Sequence, residues 1–234
     1  MNEPLLRNRI LAALSTGAQS RIAHHLKHVS LSTGTALYEP DATIRMCYFM
    51  TDGLISLLTT SGSGESVQTT IIGREGFLGV PVVLDCNSDP SRAIVEVGGT
   101  ALGIGARELH ELLKSCDGLR RLLNRYAMSR LTRVRQRILC SRLHSTEKRL
   151  ATTLLMVSSR VGTEFRLTHE TMAQMIGSRR LSVTRIARKW QLAGVIQYKY
   201  GRVTISSRTR LARQACECYE IQRREYGFFP EDGR

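Results

Sequence analysis

The 234-residue sequence lacks the marks of several protein classes. No apolar run is long enough to cross a bilayer, so a membrane span is not expected. The first residues lack a signal-peptide pattern, which favours a cytoplasmic protein. None of the 6 cysteines belongs to a C-x-x-C pair, and Cys216 and Cys218 form only a C-x-C. Because no clustered ligand set for an iron–sulfur centre is visible, we expect free thiols, no metal and no other cofactor.

Histidine is missing from residues 29–104. In this segment, short runs rich in Val, Ile, Leu, Thr and Tyr alternate with turn residues, a pattern that predicts an all-β barrel or jelly roll. Enzymes with cupin-like barrels usually need His and carboxylate ligands inside the barrel. The absence of histidine argues against such an enzyme, and we expect no catalytic activity.

Acidic side chains are scarce between residues 119 and 213, where 3 of them stand against 22 basic ones. This segment has a formal charge of +19, whereas residues 1–118 have −3 and residues 214–234 have −2. Only 3 of its basic residues are lysines. Arginine suits bidentate contacts to phosphate and guanine, so we expect one part of the chain to bind a polyanion.

Residues 167–205 have the pattern of a winged helix-turn-helix. Thr168 is a good N-cap for a short helix over residues 169–176. Gly177 follows where the turn after a helix needs a residue that tolerates positive φ. After a second helix, residues 195–205 alternate as a short hairpin would.

The second helix predicted by this pattern, over residues 180–191, has two unlike faces. Its apolar positions, at i, i+3, i+4 and i+7, are Val183, Ile186, Ala187 and Trp190. The opposite face carries Leu181, Thr184, Arg185 and Arg188. A helix of this kind is often only a solvated surface helix. The short preceding helix, the glycine turn and the following hairpin favour insertion into the major groove of DNA instead.

Residues 119–142 predict a helix of about 24 residues, which would span roughly 36 Å. Such a helix is too long to pack wholly on one small domain, so its apolar stripe indicates the same helix of a second chain as its partner. The predicted dimer interface consists of Leu119, Leu123, Tyr126, Ala127, Leu131, Val134 and Ile138. An intramolecular core helix is the alternative.

This layout resembles the Crp/Fnr family of bacterial transcription regulators over almost the whole chain. The likeness is strongest in residues 145–211, and residues 48–57 and 73–77 resemble the family's strand–Gly–strand hairpin and the turn after it. The resemblance implies an α+β fold and a homodimer in which a ligand in the β-roll repacks the dimer helices. Its parts would be a jelly-roll sensor domain, similar to cyclic-nucleotide-binding domains, over 1–117, a dimerisation helix over 118–143, a winged helix-turn-helix over 144–213 and a tail over 214–234.

The resemblance can be followed residue by residue through the recognition helix. Family members typically read Ser-Arg-Glu-Thr-Val-x-Arg where this chain has Arg179-Arg180-Leu181-Ser182-Val183-Thr184-Arg185. It implies base reading by Arg180, Leu181, Thr184 and Arg185, the two arginines being suited to guanine. We assign phosphate contacts to Arg179, Ser182, Arg188, Lys189, Lys199, Tyr200 and Arg202. Because Leu181 replaces the family's frequent Glu, we expect a half-site different from that of the cyclic-AMP receptor.

The sensor half departs from the members that bind cyclic AMP. Phe77 stands where the resemblance places a ribose-binding Glu, and Ser91-Arg92-Ala93 keeps an arginine without the hydroxyl that follows it. A ribose hydroxyl without its partner is a deficit on the order of 1–3 kcal/mol, so we expect weak or no cyclic-AMP binding. The cysteine cluster of the oxygen-sensing members is also missing, and the effector stays unidentified.

The leading hypothesis is a homodimeric regulator that binds double-stranded DNA at a near-palindrome, with RNA polymerase as a further candidate partner. One alternative is a non-specific or architectural DNA-binding protein, which the charge of +19 alone would support. Another is a cyclic-nucleotide-responsive regulator, which Phe77 disfavours. The tail over 214–234 is left open between a helix that folds back and a loose segment.

Overall fold

The structure of the protein, a computed structural model, describes residues 3–226. This part of the chain forms two compact units. The first contains the residues up to 57 together with 71–132, and the second contains 58–70 and 133–225. The predicted borders at 117 and 143 do not coincide with this division, because the border between the units lies inside the long helix.

The first unit is built on two four-stranded sheets and confirms the predicted β-roll. The strands follow the order β1-β8-β3-β6 in one sheet and β2-β7-β4-β5 in the other. They are β1 (Lys27–Leu31), β2 (Ala36–Tyr38), β3 (Met46–Met50), β4 (Leu54–Thr60), β5 (Ser66–Ile72), β6 (Phe77–Leu78), β7 (Arg92–Val97) and β8 (Gly99–Gly105). The helices are α1 (Glu3–Leu6), α2 (Arg9–Ala12), α3 (Thr16–Ala23), α4 (Val80–Val83) and α5 (Ala106–Ser115). Strands β4 and β5 extend into the second unit.

Alternating apolar residues fill the interior of this roll. In β3, which pairs antiparallel with β8, Cys47 and Phe49 are fully buried. The ring of Phe49 packs against that of Phe77, with 4.6 Å between the ring centroids. Gly79 has φ of +135°, and a Cβ there would lie 2.5 Å from Cys47 Sγ. Only glycine fits this close approach without a rearrangement of the core.

The long helix, α6 (Asp117–Leu143), is present as predicted. Its apolar stripe is buried in the N-terminal part and exposed in the C-terminal part. Leu119, Leu123 and Tyr126 lie within the core of the first unit and are at most 1% exposed. They therefore offer no surface to a partner, and their prediction as interface residues was wrong. Periodicity marks an apolar face but does not say whether the chain itself or a second chain covers it.

The exposed apolar residues of α6 lie further along the helix. They are Met128, Leu131, Ile138, Leu139 and Leu143. Of the predicted interface, Leu131 and Ile138 belong to this exposed set, whereas Ala127 and Val134 are half-buried. The candidate surface for a second chain is thus shifted towards the C-terminal part of the helix.

The second unit contains the predicted winged helix-turn-helix and a helical extension. Its elements after α6 are α7 (Thr146–Val161), β9 (Glu164–Arg166), α8 (His169–Ile176), α9 (Arg180–Leu192), β10 (Ile196–Lys199), β11 (Arg202–Ile205), α10 (Arg208–Gln214) and α11 (Cys218–Tyr226). The tail is therefore helical as far as residue 226, and the rest of it lies outside the described residues. Among residues 3–226, no helix combines the length and the apolar character needed to cross a membrane.

Candidate nucleic-acid interface

Helices α8 and α9 are joined by the tight turn that the sequence predicts. Thr168 Oγ1 accepts from the backbone N–H of Thr171 at 3.0 Å and caps the start of α8. Gly177 ends the helix in the left-handed region with φ of +57°. The N–H groups of Gly177 and Ser178 donate to the carbonyls of Gln174 and Ala173. This pattern of two back-bonds is a Schellman motif, and it fixes the direction in which α9 leaves α8.

Two arginines outside the motif hold the C-terminal end of α8. Arg137 Nη2 in α6 donates to the Met175 carbonyl at 2.6 Å and to the Gln68 carbonyl at 2.9 Å. Arg149 Nη1 in α7 donates to the Ile176 carbonyl at 2.8 Å. Burial lowers the pKa of Arg137 to about 10, so the guanidinium stays charged at neutral pH. Cations at a helix C-terminus satisfy its orphan carbonyls and its dipole. Sequence analysis had no signal for either contact.

One face of α9 packs inward and confirms the predicted apolar stripe. Val183, Ala187 and Trp190 are buried, and Ile186 is half-buried. Glu147, near the start of α7, accepts from Trp190 Nε1 at 3.1 Å and from Lys189 Nζ at 2.9 Å. This carboxylate fixes the C-terminal half of α9. It also compensates the charge of Lys189, so a phosphate contact by that ammonium would compete with Glu147.

The other face of α9 presents basic side chains to solvent. Arg180, Arg185 and Arg188 are exposed, and Leu181 is 60% exposed between them. Within the part of the chain that the structure describes, no carboxylate pairs with any of these three arginines. Arg179, at the N-cap, is exposed as well, and Ser182 is half-buried. The N-terminal half of α9 therefore combines free cationic donors with the positive end of a helix dipole.

Thr184 differs from its neighbours on this face, because its hydroxyl is engaged within the protein. Thr184 Oγ1 donates to the Arg180 carbonyl at 3.1 Å and also lies 3.0 Å from His169 Nδ1. The His169 ring stacks on that of Tyr198, with 4.0 Å between centroids. Burial, followed by repulsion from Arg180, lowers the pKa of His169 and favours the neutral ring. This histidine, which sequence analysis missed, links the start of α8 to α9 and to the wing.

The wing is a three-stranded sheet in the order β10-β11-β9. Its hairpin is as predicted, whereas β9 was not predicted. At the tip, Tyr200 has φ of +51° and is 87% exposed, and Lys199 Nζ lies 5.3 Å from the centroid of its ring. Arg202 forms an ion pair with Glu164 across the sheet. The unpaired cation at the tip is therefore Lys199 rather than Arg202, among the described residues.

Comparison with known proteins places this arrangement in a family. Residues 148–214 match the family model described as the Crp-like helix-turn-helix domain. A CRP-like cAMP-activated global transcriptional regulator from Mycobacterium tuberculosis is 23% identical over 223 residues, which cover 92% of this chain and 100% of that protein. Residues 148–214 therefore form a Crp-like helix-turn-helix domain, and the chain is similar to a CRP-like regulator over 92% of its length. It is thus a transcription regulator with a helix-turn-helix DNA-binding domain.

Solved structures of other proteins have the same fold. The c-di-GMP responsive global regulator CLP from Xanthomonas campestris has a TM-score of 0.66 at 17% identity, covering 82% of this chain and 100% of that one. A crystal structure assigned to the Crp/Fnr family from Eubacterium rectale has a TM-score of 0.66 at 22% identity, covering 93% and 99%. At these identities the likeness concerns the fold and not the ligand.

Two positions of the β-roll bear on the predicted weakness of cyclic-AMP binding. Phe77 is fully buried against Phe49, so a ring fills the place where the resemblance puts a carboxylate. Arg92 Nε donates to Glu39, and their charged atoms lie 3.0 Å apart. A cyclic phosphate would have to compete with Glu39 for the Nε donor of this arginine.

Proposed function

We propose that this regulator binds double-stranded DNA sequence-specifically, as a homodimer, at a near-palindromic site. The observation that supports this proposal is the division of α9 into a buried face and a face with uncompensated Arg180 and Arg185. A helix held this rigidly by Glu147, Arg149 and the Schellman turn can present two guanidinium groups to the paired acceptors of guanine. Leu181 between them suits contact with a thymine methyl, and Thr184 contributes less because its hydroxyl is already bound.

Phosphate contacts come from the cations around α9 and at the wing tip. Arg179, Ser182, Arg188, Lys199 and Tyr200 form the proposed main set. Lys189 and Arg202 contribute less, since Glu147 and Glu164 already pair with them. These contacts position the domain on the duplex without reading sequence.

Dimerisation through α6 follows from the exposed apolar residues in its C-terminal part. Leu131 and Ile138 are spaced by seven residues, the repeat that keeps side chains on one seam between two helices. Ala127 and Val134, half-buried at the neighbouring seam positions, complete the proposed contact. A two-fold axis would place the two α9 helices in successive major grooves, about one helical turn apart.

The proposed regulator works in the cytoplasm without catalysis, and its effector is not cyclic AMP. Relatives are named as cAMP-activated and as c-di-GMP responsive, so the family's ligands differ between members. Here, Phe77 offers no hydrogen-bond partner to a ribose, and Arg92 already pairs with Glu39. Titration calorimetry with cyclic AMP should give no saturable micromolar binding. RNA polymerase is the proposed protein partner at a promoter.

The experiment that tests the proposal is a selection of the purified, ligand-free protein on random duplex DNA, followed by sequencing of the retained fraction. We expect an enriched inverted repeat. The second candidate function, non-specific DNA binding, is favoured by the charge of +19 in residues 119–213. Salt-sensitive binding without any enriched sequence, with or without cell extract as a source of effector, would favour that second function.

A further inference from the structure

The second unit contains a cluster of three cysteines and one histidine that DNA binding does not use. Cys140 lies in the last turn of α6, and His144 follows one helical turn later. Cys216 and Cys218 lie between α10 and the start of α11. The four possible ligand atoms all lie within 4.8 Å of one another. The fold thus brings together two pairs of residues that are more than 70 positions apart in the sequence.

The spacing within this cluster fits a single tetrahedral ion. Cys140 Sγ and Cys216 Sγ are 3.5 Å apart, and so are Cys218 Sγ and His144 Nδ1. Four ligands at zinc–sulfur and zinc–nitrogen bond lengths lie about 3.4–3.8 Å from one another. An iron–sulfur cluster would need room for bridging sulfides between its thiolates, which a cluster of this size does not offer. Three thiolates and one imidazole are a common ligand set of structural zinc.

The surroundings of the cluster are those that support metal ligands. His144 Nε2, the ring nitrogen that faces away from the sulfurs, lies 3.1 Å from Glu217 Oε1. Gln136 Nε2 donates to Cys218 Sγ at 3.1 Å, and Thr152 Oγ1 lies 3.2 Å from Cys216 Sγ. A carboxylate on the distal nitrogen of a ligating histidine fixes its tautomer, and hydrogen-bond donors stabilise thiolate sulfur.

Burial of the cluster indicates a structural site rather than a catalytic one. The three cysteines are at most 7% exposed, and the side chain of His144 is 10% exposed. Four protein ligands leave no open position for a substrate, as in structural zinc sites. A disulfide between Cys140 and Cys216 would instead bring the two sulfurs to about 2.0 Å. Such a disulfide would not explain why Cys218 and His144 lie beside these sulfurs, or why His144 contacts Glu217.

We propose that Cys140, His144, Cys216 and Cys218 bind one structural Zn²⁺ ion. The ion joins the C-terminal end of α6 to the segment that leads from α10 into α11. Through Cys216 the site also adjoins α7, the helix that holds α9 by Glu147. Zinc therefore fixes the framework from which the helix-turn-helix is presented. Sequence analysis predicted free thiols and no metal because the two ligand pairs, C-x-x-x-H and C-x-C, are weak signals separately.

The first test is the metal content of the untagged, full-length protein purified without chelator. We expect about one zinc per chain by elemental analysis. The metal-free protein, kept reduced, should bind Co²⁺ with the charge-transfer and d–d absorption bands of tetrahedral thiolate coordination. Cys216→Ser and Cys218→Ser should lose these bands. Cys86→Ser is the matched control, because Cys86 is an exposed cysteine of the first unit, and it should keep them.

A second variant separates a zinc site from a cluster of buried thiols. Glu217→Gln leaves all four ligands in place but removes the charge beside His144 Nε2. We expect its zinc affinity, measured by competition with a chromogenic chelator, to fall about 10–100-fold. Two results would each overturn the proposal: zinc-free protein whose Co²⁺ spectrum matches that of Cys216→Ser, or a Cys140–Cys216 disulfide in protein that binds no metal when reduced. An unchanged affinity in Glu217→Gln would contradict the supporting role given to Glu217.

Discussion

The two compact units use their charged side chains in different ways. In the first unit, cations have acidic partners close by, as in Arg92–Glu39, Lys114–Glu111 and Arg120–Asp117. In the second unit, acids are few, and Glu147 and Glu164 pair with cations at the margins of the proposed DNA-binding surface. The arginines at its centre have no carboxylate among the described residues. Cations without acidic partners therefore distinguish the unit that contains the helix-turn-helix. In the first unit, the cations named above are neutralised by nearby carboxylates.

Disrupting the proposed dimer should have the largest effect on DNA affinity, because a monomer binds with one DNA-binding domain instead of two. Leu131→Glu combined with Ile138→Glu places carboxylates on the exposed seam of α6. We expect monomers in sedimentation velocity, and an affinity for the selected inverted repeat that is about 10²–10⁴-fold lower. Leu84→Glu, at an exposed leucine of the first unit, is the control and should leave both unchanged. A double variant that stays dimeric would locate the interface elsewhere.

Removing one of the proposed base-reading arginines should have the next largest effect and act on specificity. A good bidentate contact to guanine contributes about 1–3 kcal/mol, so Arg185→Ala should weaken binding to the selected site about 5–150-fold. Its binding to random DNA should change far less. Arg213→Ala in α10 removes the same charge outside α9 and the wing, and it should not alter the ratio of specific to random affinity. Equal losses on both DNAs for Arg185→Ala would contradict base reading.

The recognition motif could be predicted from the sequence because its signals are local. Thr168, Gly177 and the stripe of Val183, Ala187 and Trp190 are all within a few residues of the elements they define. The bounds of α8 were predicted correctly, and α9 extends one residue further than predicted. Capping residues and apolar periodicity therefore indicate where such helices begin and end without knowledge of distant contacts.

The rest of the site depends on residues that are distant in sequence. Glu147 contacts Lys189 and Trp190 across more than 40 positions, and no pattern in the chain announces that choice. The only feature of the sequence that singles out Glu147 is that it is one of just 3 acidic residues in 119–213. The prediction for Leu119, Leu123 and Tyr126 failed for the same reason. Whether an apolar side chain is covered by its own chain depends on residues that are distant in sequence.

The ion pairs at the edge of the proposed DNA-binding surface predict a smaller effect, on the salt dependence of DNA affinity. This effect should differ between Lys199 and Lys189. Lys199→Ala should lower the slope of log affinity against log salt by about 0.9, the value for one phosphate contact. Lys189→Ala removes the same charge type but frees Glu147, so its slope should change less. Affinity measured on random DNA at several salt concentrations distinguishes the two variants. Equal slopes for both would mean that Lys189 leaves Glu147 when DNA binds.

The smallest expected effect concerns His169, the residue that couples α8, α9 and the wing. Its folded pKa lies below the ordinary value of about 6.5, so the folded state favours the neutral ring. The stability that this ring contributes is present above pH about 6.5 and is lost as the pH falls through its folded pKa. We expect the wild type to lose more thermal stability between pH 7.5 and pH 5 than His169→Gln does. Protonation would place a charge near Arg180, so the same acidification should weaken specific DNA binding of the wild type more than that of the variant. Parallel pH profiles of the two proteins would show that the ring is only packing in the wing.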